Sequence, residues 1–255
     1  MFKRLMITAS LLVLLLYSAL IGSLLYFFDA DTLRATLAAE RTLYALQLSL
    51  GAATVATLLA LLVALPTAYA LSRYQFPLKG LVDTWLELPM VVSPAALGAM
   101  LLIVFNTPYG QAVQASAGQV VFTVAGVVVA QFVTTLGLAT RLIKAVLDEI
   151  PARYEQVARS LGTTPWQAFR SITLPLALRG LVASGILTWA KAIGEFGATI
   201  TLAGSMAMKT ETLPVAIFMK LSTADIEGTV VLIFILVGLG MLLLALTRYL
   251  GGRHA

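Results

Sequence analysis

The chain has 255 residues, of which 60% are apolar and only 11% charged, and its mean hydropathy is +0.94. Soluble domains carry about a quarter charged residues, so this composition predicts an integral membrane protein and excludes an ordinary soluble one. With no cysteine, the chain cannot form disulfides, thiolate metal sites or a cysteine nucleophile. The net charge of +5 comes from basic residues scattered between apolar runs, which favours a role in membrane topology over binding of nucleic acid.

The first long apolar run covers residues 5–28 and follows Lys3 and Arg4. A signal peptide has the same basic start, but its apolar region is about 7–15 residues long, whereas a membrane span needs about 20. We therefore predict an uncleaved first helix with its N-terminus in the cytoplasm. Residues 29–41 carry both signs of charge and are expected outside, as a short amphipathic lead-in to the second span.

The next apolar runs predict a second span at 43–71, a third at 81–105 and a fourth at 120–140. The uncharged stretch 106–119 is expected to be a short outside loop. The third span contains two carboxylates and two prolines, which predict a kinked helix whose acidic side chains lie near its cytoplasmic end or face protein. Acid–base catalysis has less support, because no nucleophile or histidine pattern accompanies them. These residues are Asp83, Glu87, Pro89 and Pro94.

Residues 141–180 hold six basic side chains, the densest such cluster in the chain, and are predicted to form a cytoplasmic loop. A helix should begin near Pro151, since proline suits a first helical turn. Its apolar residues recur at i, i+3, i+4 and i+7 and form one stripe, and Gly162 follows where a left-handed C-terminal cap is needed. The stripe consists of Tyr154, Val157, Ala158 and Leu161.

A second short helix is expected to follow, with Thr164 as N-cap, Pro165 at the first position and Gln167 completing a capping box. Pro175 is expected to end it. Two short helices broken at a glycine, with one apolar side, are typical of a plug that inserts into a partner's groove. The alternative is an ordinary cytoplasmic loop whose apolar stripe rests on the lipid surface. The residues expected to share one face of the second helix are Trp166, Phe169 and Arg170.

The predicted fifth span, residues 181–203, contains two opposite charges one helical turn apart, Lys191 and Glu195. A charge at membrane depth costs at least about 2.5–3.5 kcal/mol unless it is paired or hydrated, so both should face protein or water. Either they border a translocation route, with Lys191 offering a cation to a passing anion, or they form a structural pair that orients the helix or a dimer interface. Gly194 and Gly197 would permit close packing or a break in the helix, and such breaks are common at ion sites of transporters.

Residues 204–228 form the longest predicted outside loop, in which 214–221 is apolar and is expected to be a helix lying back toward the membrane. Because the charges of this loop nearly cancel, it suits docking of another protein better than capture of an anion. A sixth span is predicted at 229–246, and Arg248 and Arg253 predict a cytoplasmic C-terminus. His254, the single histidine, lies in the tail and is not a candidate metal ligand or catalytic base.

Residues 151–175 resemble the EAA loop of ABC importer permeases, in which an E-A-A run is followed by a glycine and then by a hydrophobic-proline pair. The match departs at Gln156 and Val157, where the general pattern has Glu and Ala. The neighbouring Glu155 could supply any polar contact that the family makes through the second acidic side chain. The residues at matching positions are the run Glu155-Gln156-Val157-Ala158, then Gly162, and then Leu174-Pro175.

Residues 194–201, which follow Lys191, resemble the GEFGAT stretch of the molybdate/tungstate permeases, and a close variant with Tyr for Phe occurs in the sulfate permeases. The downstream residues 208–212 are also similar to sulfate permeases. The resemblance covers about residues 43–250, and the paired motifs are more specific for the transporter class than for the anion. The matching run is Gly194-Glu195-Phe196-Gly197-Ala198-Thr199-Ile200-Thr201.

This resemblance implies an all-α integral membrane protein with about six transmembrane helices of the type I ABC importer permease fold and a cytoplasmic coupling loop at 141–180. It divides the chain into an N-terminal helix with its lead-in at 1–41, a permease core at 42–250 and a cytoplasmic tail at 251–255. The residues implied for contact with an ATPase are Tyr154, Glu155, Gln156, Val157, Ala158, Leu161, Gly162, Trp166, Phe169 and Pro175. The residues implied for the translocation pathway or gate are Lys191, Gly194, Glu195, Phe196, Gly197, Thr199 and Thr201.

The implied function is ATP-driven import of a tetrahedral oxyanion by alternating access across the cytoplasmic (inner) membrane. Molybdate or tungstate is the first expectation, and sulfate or thiosulfate is the alternative. The chain lacks a G-x-x-x-x-G-K-[ST] phosphate loop, so it is expected to be a transport subunit rather than an enzyme, with no cofactor or metal of its own.

The implied partners are a second copy of the chain, a peripheral ABC ATPase dimer that uses Mg-ATP, and a periplasmic or tethered oxyanion-binding protein. Two other classes stay open. An ATP-independent channel or carrier would need no ATPase groove, and an intramembrane enzyme would be limited to Ser/Lys or carboxylate chemistry.

Overall fold

The computed structural model describes the backbone of residues 1–251 and the side chains of residues 1–245. Within residues 1–251 the regular structure is helical, with no strand. Residues 252–255, including Arg253 and His254, lie outside the described residues, as does the side chain of Arg248. The predicted cytoplasmic tail at 251–255 is therefore almost entirely outside the description.

The N-terminal part consists of three helices that match the predicted order. Helix α1 covers Phe2–Leu24 and ends in a 3₁₀ turn at Leu25–Phe27, and its side chains are exposed along almost its whole length. Helix α2, Ala30–Ala38, is the predicted short lead-in, and the carboxylate of Asp29 caps it by accepting the backbone N–H of Thr32 at 2.7 Å. Helix α3 covers Glu40–Arg73 and continues through Pro66.

The predicted third span is two helices rather than one kinked helix. These are helix α4, Lys79–Val91, and helix α5, Pro94–Asn106, and the helix axis bends by 112° between them. The break follows from local chemistry, because the hydroxyl of Ser93 caps α5 and Pro94 occupies its first turn. The predicted outside loop that follows is also largely helical, as α6, Pro108–Ala117, capped by Thr107.

The predicted cytoplasmic loop at 141–180 is much shorter in the structure. Helix α7 covers Val124–Asp148, eight residues past the predicted end at 140, and α8 covers Arg153–Ser160. Helix α9, Pro165–Ala168, then runs through a π-helical turn at Phe169–Thr173 into α10, Leu174–Ile193. The second short helix is thus the beginning of the fifth span.

The prediction that Pro175 ends a helix is wrong, because a single helical segment extends from Pro165 to Ile193. The π-helical turn immediately before the proline supplies the reason. There the N–H of Leu174 donates to the carbonyl of Phe169, five residues back, so the turn is wider than an α-turn. A wider turn reduces the clash between a proline ring and the preceding carbonyls, which otherwise breaks a helix.

The C-terminal part contains a helix break at Gly194 and a short helix in the apolar stretch where the sequence predicts one. After α10 the chain leaves helical geometry at residues 194–196 and resumes as α11, Gly197–Ala203. Helix α12, Leu213–Ser222, occupies the predicted apolar stretch of the last long loop. Helix α13 covers Ile226–Gly251.

The core is built on the long crossing of α3 with α7, which also contacts α10, α11 and α4. Small side chains let these helices approach closely, as expected where lipid removes the hydrophobic drive for association. At the tightest crossing, a Cβ on Gly137 would lie 2.1 Å from the carbonyl oxygen of Leu86 in α4. The buried alanines of α3 are Ala45, Ala52, Ala53, Ala56, Ala60, Ala64 and Ala68.

Five helical segments in the described part are long and apolar enough to cross a membrane, and the bent pair α4–α5 would make six. This confirms the prediction of an all-α membrane protein with about six spans. The five are Phe2–Phe27, Glu40–Arg73, Val124–Asp148, Pro165–Ile193 and Ile226–Ala245.

Candidate functional site

Helix α8 presents most of its predicted apolar stripe to solvent. Val157 is 59% exposed and Leu161 81% exposed, and Tyr154 is also exposed, whereas Ala158 is buried. Gln156, at the position of the family's glutamate, lies on the exposed surface as well. An exposed apolar surface on a short charged segment has the form of a docking surface for another protein.

The connection from α8 to α9 has the predicted local chemistry. Gly162 has a φ of +93°, which a residue with a Cβ adopts only at a cost. The Oγ1 of Thr164 accepts the N–H of Gln167 at 3.3 Å, and Oε1 of Gln167 accepts the N–H of Thr164 at 2.8 Å. This capping box and Pro165 at the first position fix where α9 begins.

The two aromatic residues of the second helix have different surroundings. Trp166 is 66% exposed, and its ring stacks on Phe169 with a centroid distance of 5.7 Å. Phe169 is buried and meets the ring of Tyr69 from α3 edge-on at 4.9 Å. Trp166 is therefore exposed on α9, a helix that contacts α8, while the Phe169 ring on which it stacks is buried.

Glu155 points into the protein instead of toward a partner. Its Oε2 accepts the hydroxyl of Tyr69 at 2.7 Å, its Oε1 accepts Nε of Arg73 at 3.3 Å, and the hydroxyl of Thr173 also donates to Oε1. The side chains of Arg73 and Glu155 are only 8% and 11% exposed. Removing one partner of such a buried pair is expected to destabilise the fold strongly, because the other charge is then buried without compensation.

The break between α10 and α11 is organised by Glu195. The side chain is 1% exposed; its Oε1 accepts the N–H of Ala198 at 3.1 Å, and its Oε2 accepts Nζ of Lys191 at 3.2 Å. An acidic group at a helix N-terminus is favourable because it satisfies an otherwise unpaired N–H and faces the positive end of the helix dipole. The side chain of Lys191 is 45% exposed, so its ammonium reaches the surface of the described chain.

The remaining residues of the 194–201 segment have distinct positions. Gly197 is needed for close approach, since a Cβ there would lie 2.9 Å from the backbone nitrogen of Ala95 in α5. Phe196 contacts the ring of Phe218 in α12 at 5.0 Å. The Oγ1 of Thr199 is buried without a hydrogen-bond partner in the structure, and that of Thr201 donates to the carbonyl of Gly197 at 2.8 Å. No close contact constrains Gly194.

The two carboxylates of α4 both lie close to one basic residue of α7. Arg141 forms ion pairs with Asp83, at 3.6 Å, and with Glu87. This arrangement favours a structural role over acid–base catalysis, which agrees with the sequence expectation. In the described part of the chain no group of three or more His, Cys, Asp or Glu side chains could hold a metal ion.

At the other end of the bundle, α2, α3, α12 and α13 surround a cavity of about 500 Å³. Its charged lining is paired internally. Nε of Arg41 donates to Glu211 at 2.6 Å, and Lys220 pairs with Asp225. The Lys220 ammonium, followed by the N–H of Gly228, holds the pKa of the Asp225 carboxyl below its usual value. Both cations of the lining have an anionic partner, so the lining itself carries no net charge.

The sequence also matches a known protein family. Residues 56–254 match the family described as "Binding-protein-dependent transport system inner membrane component". The chain belongs to this family. Membership agrees with its helical, multi-pass architecture and with location in an inner membrane.

Molybdenum permeases and sulfate permeases are both similar to the chain. The molybdenum transport system permease protein ModB of Escherichia coli strain K12 is 34% identical over 210 residues, which cover 81% of this chain and 92% of that protein. A probable molybdenum ABC transporter permease protein of Haloferax volcanii is 34% identical over 94% of this chain and 87% of that protein. The sulfate transport system permease protein CysT of Escherichia coli K12 is 34% identical over 69% of this chain, which spans 65% of that relative's length.

Solved structures of ABC transporters share the fold. A bacterial alginate ABC transporter, solved in complex with an alginate pentasaccharide-bound periplasmic protein, has a TM-score of 0.77 at 15% identity, covering 99% of this chain and 93% of its own. The MetNI methionine ABC transporter in an inward-facing conformation has a TM-score of 0.65 at 20% identity, covering 84% of this chain and 98% of its own. Together with family membership, they confirm the type I ABC importer permease fold.

The buried partners of Glu155 could not be predicted from the sequence. Tyr69 and Arg73 are more than 80 residues from Glu155 along the chain, as their separations of 86 and 82 residues show. The available signal is a basic residue, Arg73, in the last turn of a long apolar helix, where the positive-inside rule expects such a residue whether or not it has a partner. Arg141 was likewise counted as a loop cation, although it lies within α7 and pairs with α4.

Proposed function

We propose that this chain is the membrane-spanning subunit of an ATP-driven importer that moves a tetrahedral oxyanion, molybdate or tungstate, into the cytoplasm. The observation that carries the proposal is the exposed surface on α8 and α9, formed by Tyr154, Val157, Leu161 and Trp166, in a chain that belongs to a binding-protein-dependent transport family. Alternating access would proceed by rigid-body motion of the spans.

The exposed surface on α8 and α9 would dock into a groove of a peripheral ATPase, with Gln156 available for a polar contact at its edge. Two ATPase subunits would use Mg-ATP, and the chain itself would hold no nucleotide and no cofactor. A second copy of the chain would complete the path, because the described residues of one copy offer five or six apolar spans. An oxyanion-binding protein would deliver the substrate on the outside face.

The residues proposed for the path are those at the break between α10 and α11, above all Lys191. Its side chain is 45% exposed and its ammonium is held by a buried carboxylate, so it could offer a hydrogen bond to a passing oxyanion. Broken helices with free backbone groups are a recurring way to build such sites in membrane transporters.

Molybdate is preferred to sulfate on the extent of the sequence matches. The chain covers 92% of the Escherichia coli ModB protein at 34% identity, against 65% of CysT from the same organism at 34% and 78% of the CysW protein of Synechocystis at 33%. Import of sulfate or thiosulfate is the second candidate, supported by the same identity to CysT. Selection between these dianions would depend mainly on the binding protein.

In this proposal both termini of the chain lie in the cytoplasm. Lys3 and Arg4 at the start of α1 support that side for the N-terminus by the positive-inside rule. The same rule supports a cytoplasmic position for α8 and α9, since the basic residues Arg153, Arg159 and Arg170 lie there. Cysteine labelling from either side of the membrane checks this orientation directly, because the natural chain has no cysteine.

The test is uptake of labelled molybdate into vesicles that contain the chain with its ATPase and binding protein. We expect uptake to require ATP, to be inhibited by tungstate and to be unaffected by excess sulfate. Inhibition by sulfate would move the assignment to sulfate import. Uptake that is indifferent to ATP would refute the importer and favour a channel or carrier.

A further inference from the structure

Helix α8 is attached to the rest of the protein by very little apolar surface. Of its eight residues, only Glu155 and Ala158 are buried. Ordering a helix costs conformational entropy at every residue, and one buried methyl group cannot offset that cost. The polar contacts of Glu155 must therefore be the main attachment of α8 to the membrane spans.

The carboxylate of Glu155 joins three parts of the fold at one point. It accepts hydrogen bonds from Tyr69 and Arg73 in the last turns of α3 and from Thr173 in the π-helical turn that leads into α10. Two of these bonds come from neutral hydroxyl groups and one from a cation, so the carboxylate keeps its charge balanced within the protein. The carboxylate thereby connects α8 to two different spans.

Arg73 extends the same attachment to a third span. Its Nη2 donates to the carbonyl of Leu147 at 3.0 Å and to that of Ile150 at 2.8 Å, at the end of α7. The Leu147 carbonyl also accepts the N–H of Ile150 at 3.1 Å, and Ile150 lies just beyond the helix, so the bonds from Arg73 connect α3 to the C-terminal end of α7. The planar guanidinium can reach these carbonyls and the carboxylate together, which a lysine ammonium cannot do.

We propose that Glu155 is a positioning residue that fixes the docking helix α8 to the cytoplasmic ends of α3, α7 and α10, so that ATPase movement is converted into movement of the spans. The inference rests on the proposed function, since it assumes that α8 receives the movement of an ATPase. It gives neighbouring residues opposite roles, because Gln156 is exposed toward a partner and Glu155 is directed inward.

The first experiment compares the wild type with Glu155→Gln in proteoliposomes that contain the ATPase and the binding protein, with molybdate as substrate. Glutamine preserves the shape of the side chain but removes the charge that holds Arg73. We expect ATP hydrolysis to continue while molybdate moved per ATP falls about tenfold, as it would if detached α8 came to outnumber attached α8 by about ten to one. An unchanged ratio of transport to hydrolysis would overturn the inference.

A matched control removes an ion pair at the same end of the bundle without loosening α8. Lys144 pairs with Asp148 at 2.8 Å within α7, so Lys144→Gln should leave transport per ATP unchanged. If both variants lose coupling equally, loss of charge at this end is the cause and the proposed attachment is wrong. Arg73→Lys, which retains the charge but cannot form the same set of bonds, should behave like Glu155→Gln.

The second experiment measures α8 without transport. A spin label on Ser160→Cys, an exposed position at the end of α8 in a chain that lacks cysteine, reports local mobility of the purified protein. We expect the label to become more mobile with Glu155→Gln and with Tyr69→Phe, but not with Lys144→Gln. Equal mobility in all of these proteins would overturn the inference even if Glu155→Gln fails to assemble with the ATPase.

The two experiments separate this inference from the proposed function. If wild-type vesicles show no ATP-dependent molybdate uptake, the proposed function fails, and the spin-label result still decides whether Glu155 fixes α8. If the wild type transports and Glu155→Gln retains both coupling and a rigid α8, the inference alone fails.

Discussion

The turn at Gly162 allows a test of the docking segment in which backbone conformation is separated from packing. The φ of Gly162 is +93°, and no heavy atom lies within 4 Å of the position that a Cβ would occupy. Replacement by valine therefore meets no neighbour and acts through the backbone alone. A left-handed conformation costs a residue with a Cβ about 1–2 kcal/mol, and a β-branched side chain belongs at the upper end of that range. A free-energy difference of this size lowers the ratio of molecules with the native turn to molecules with an altered turn about 5- to 30-fold.

The assay is molybdate transported per ATP hydrolysed, in vesicles with the ATPase and binding protein. We expect Gly162→Val to lower this ratio by about the same 5- to 30-fold, because the relative orientation of α8 and α9 would no longer be maintained. Gly162→Asn is the matched control, since asparagine tolerates positive φ and should retain most of the coupling. Normal coupling in Gly162→Val would refute the reasoning, and equal losses in both variants would show that backbone conformation is not the cause.

Two further predictions concern stability and use the purified chain in detergent. Gly137→Ala puts a Cβ 2.1 Å from the carbonyl oxygen of Leu86, so it should destabilise the α4–α7 crossing by about 1–3 kcal/mol and lower the unfolding temperature. Gly238→Ala in α13 is the control, because no heavy atom lies within 4 Å of the added Cβ and the unfolding temperature should not fall. Equal effects of the two changes would contradict this account. The lowered pKa of Asp225 predicts stability that is present above its unfolded pKa, near 3.8, and lost as the pH falls through the folded value. Asp225→Asn should remove that pH dependence from unfolding curves, and an unchanged dependence would show that this carboxyl contributes nothing.

Local signals in the sequence predicted the α8–α9 segment well, because they depend on a few adjacent residues. The capping box of Thr164 and Gln167 and the left-handed Gly162 are both confirmed. Pro175 failed as a helix end for an equally local reason, since a π-helical turn ahead of it lets the helix continue. Nothing in a single sequence distinguishes a proline that breaks a helix from one that a widened turn accommodates.

Contacts between distant segments could not be predicted in the same way. The pairing of Glu155 with Arg73 and of Arg141 with Glu87 depends on which helices cross, and periodicity does not reveal crossings. The positive-inside rule gives basic residues at the ends of spans, such as Arg73 and Arg141, a role in topology without indicating that they also have partners. The stripe on α8 was detected, but its division into buried Ala158 and exposed neighbours follows only from the packed structure.

The two interpretations of Lys191 and Glu195 become compatible once their surroundings are considered. Glu195 is required where it lies, because it caps α11 and accepts a hydrogen bond from Lys191 at 3.2 Å. An ammonium has three donors, and one of them is directed at Glu195, which leaves Lys191 able to contact an oxyanion. A neutral pair attracts a dianion less strongly than an isolated lysine would, and a transport path needs sites that ions can leave as well as enter. If Lys191 lines the path, as we propose, its pairing with Glu195 would let an oxyanion pass without being retained.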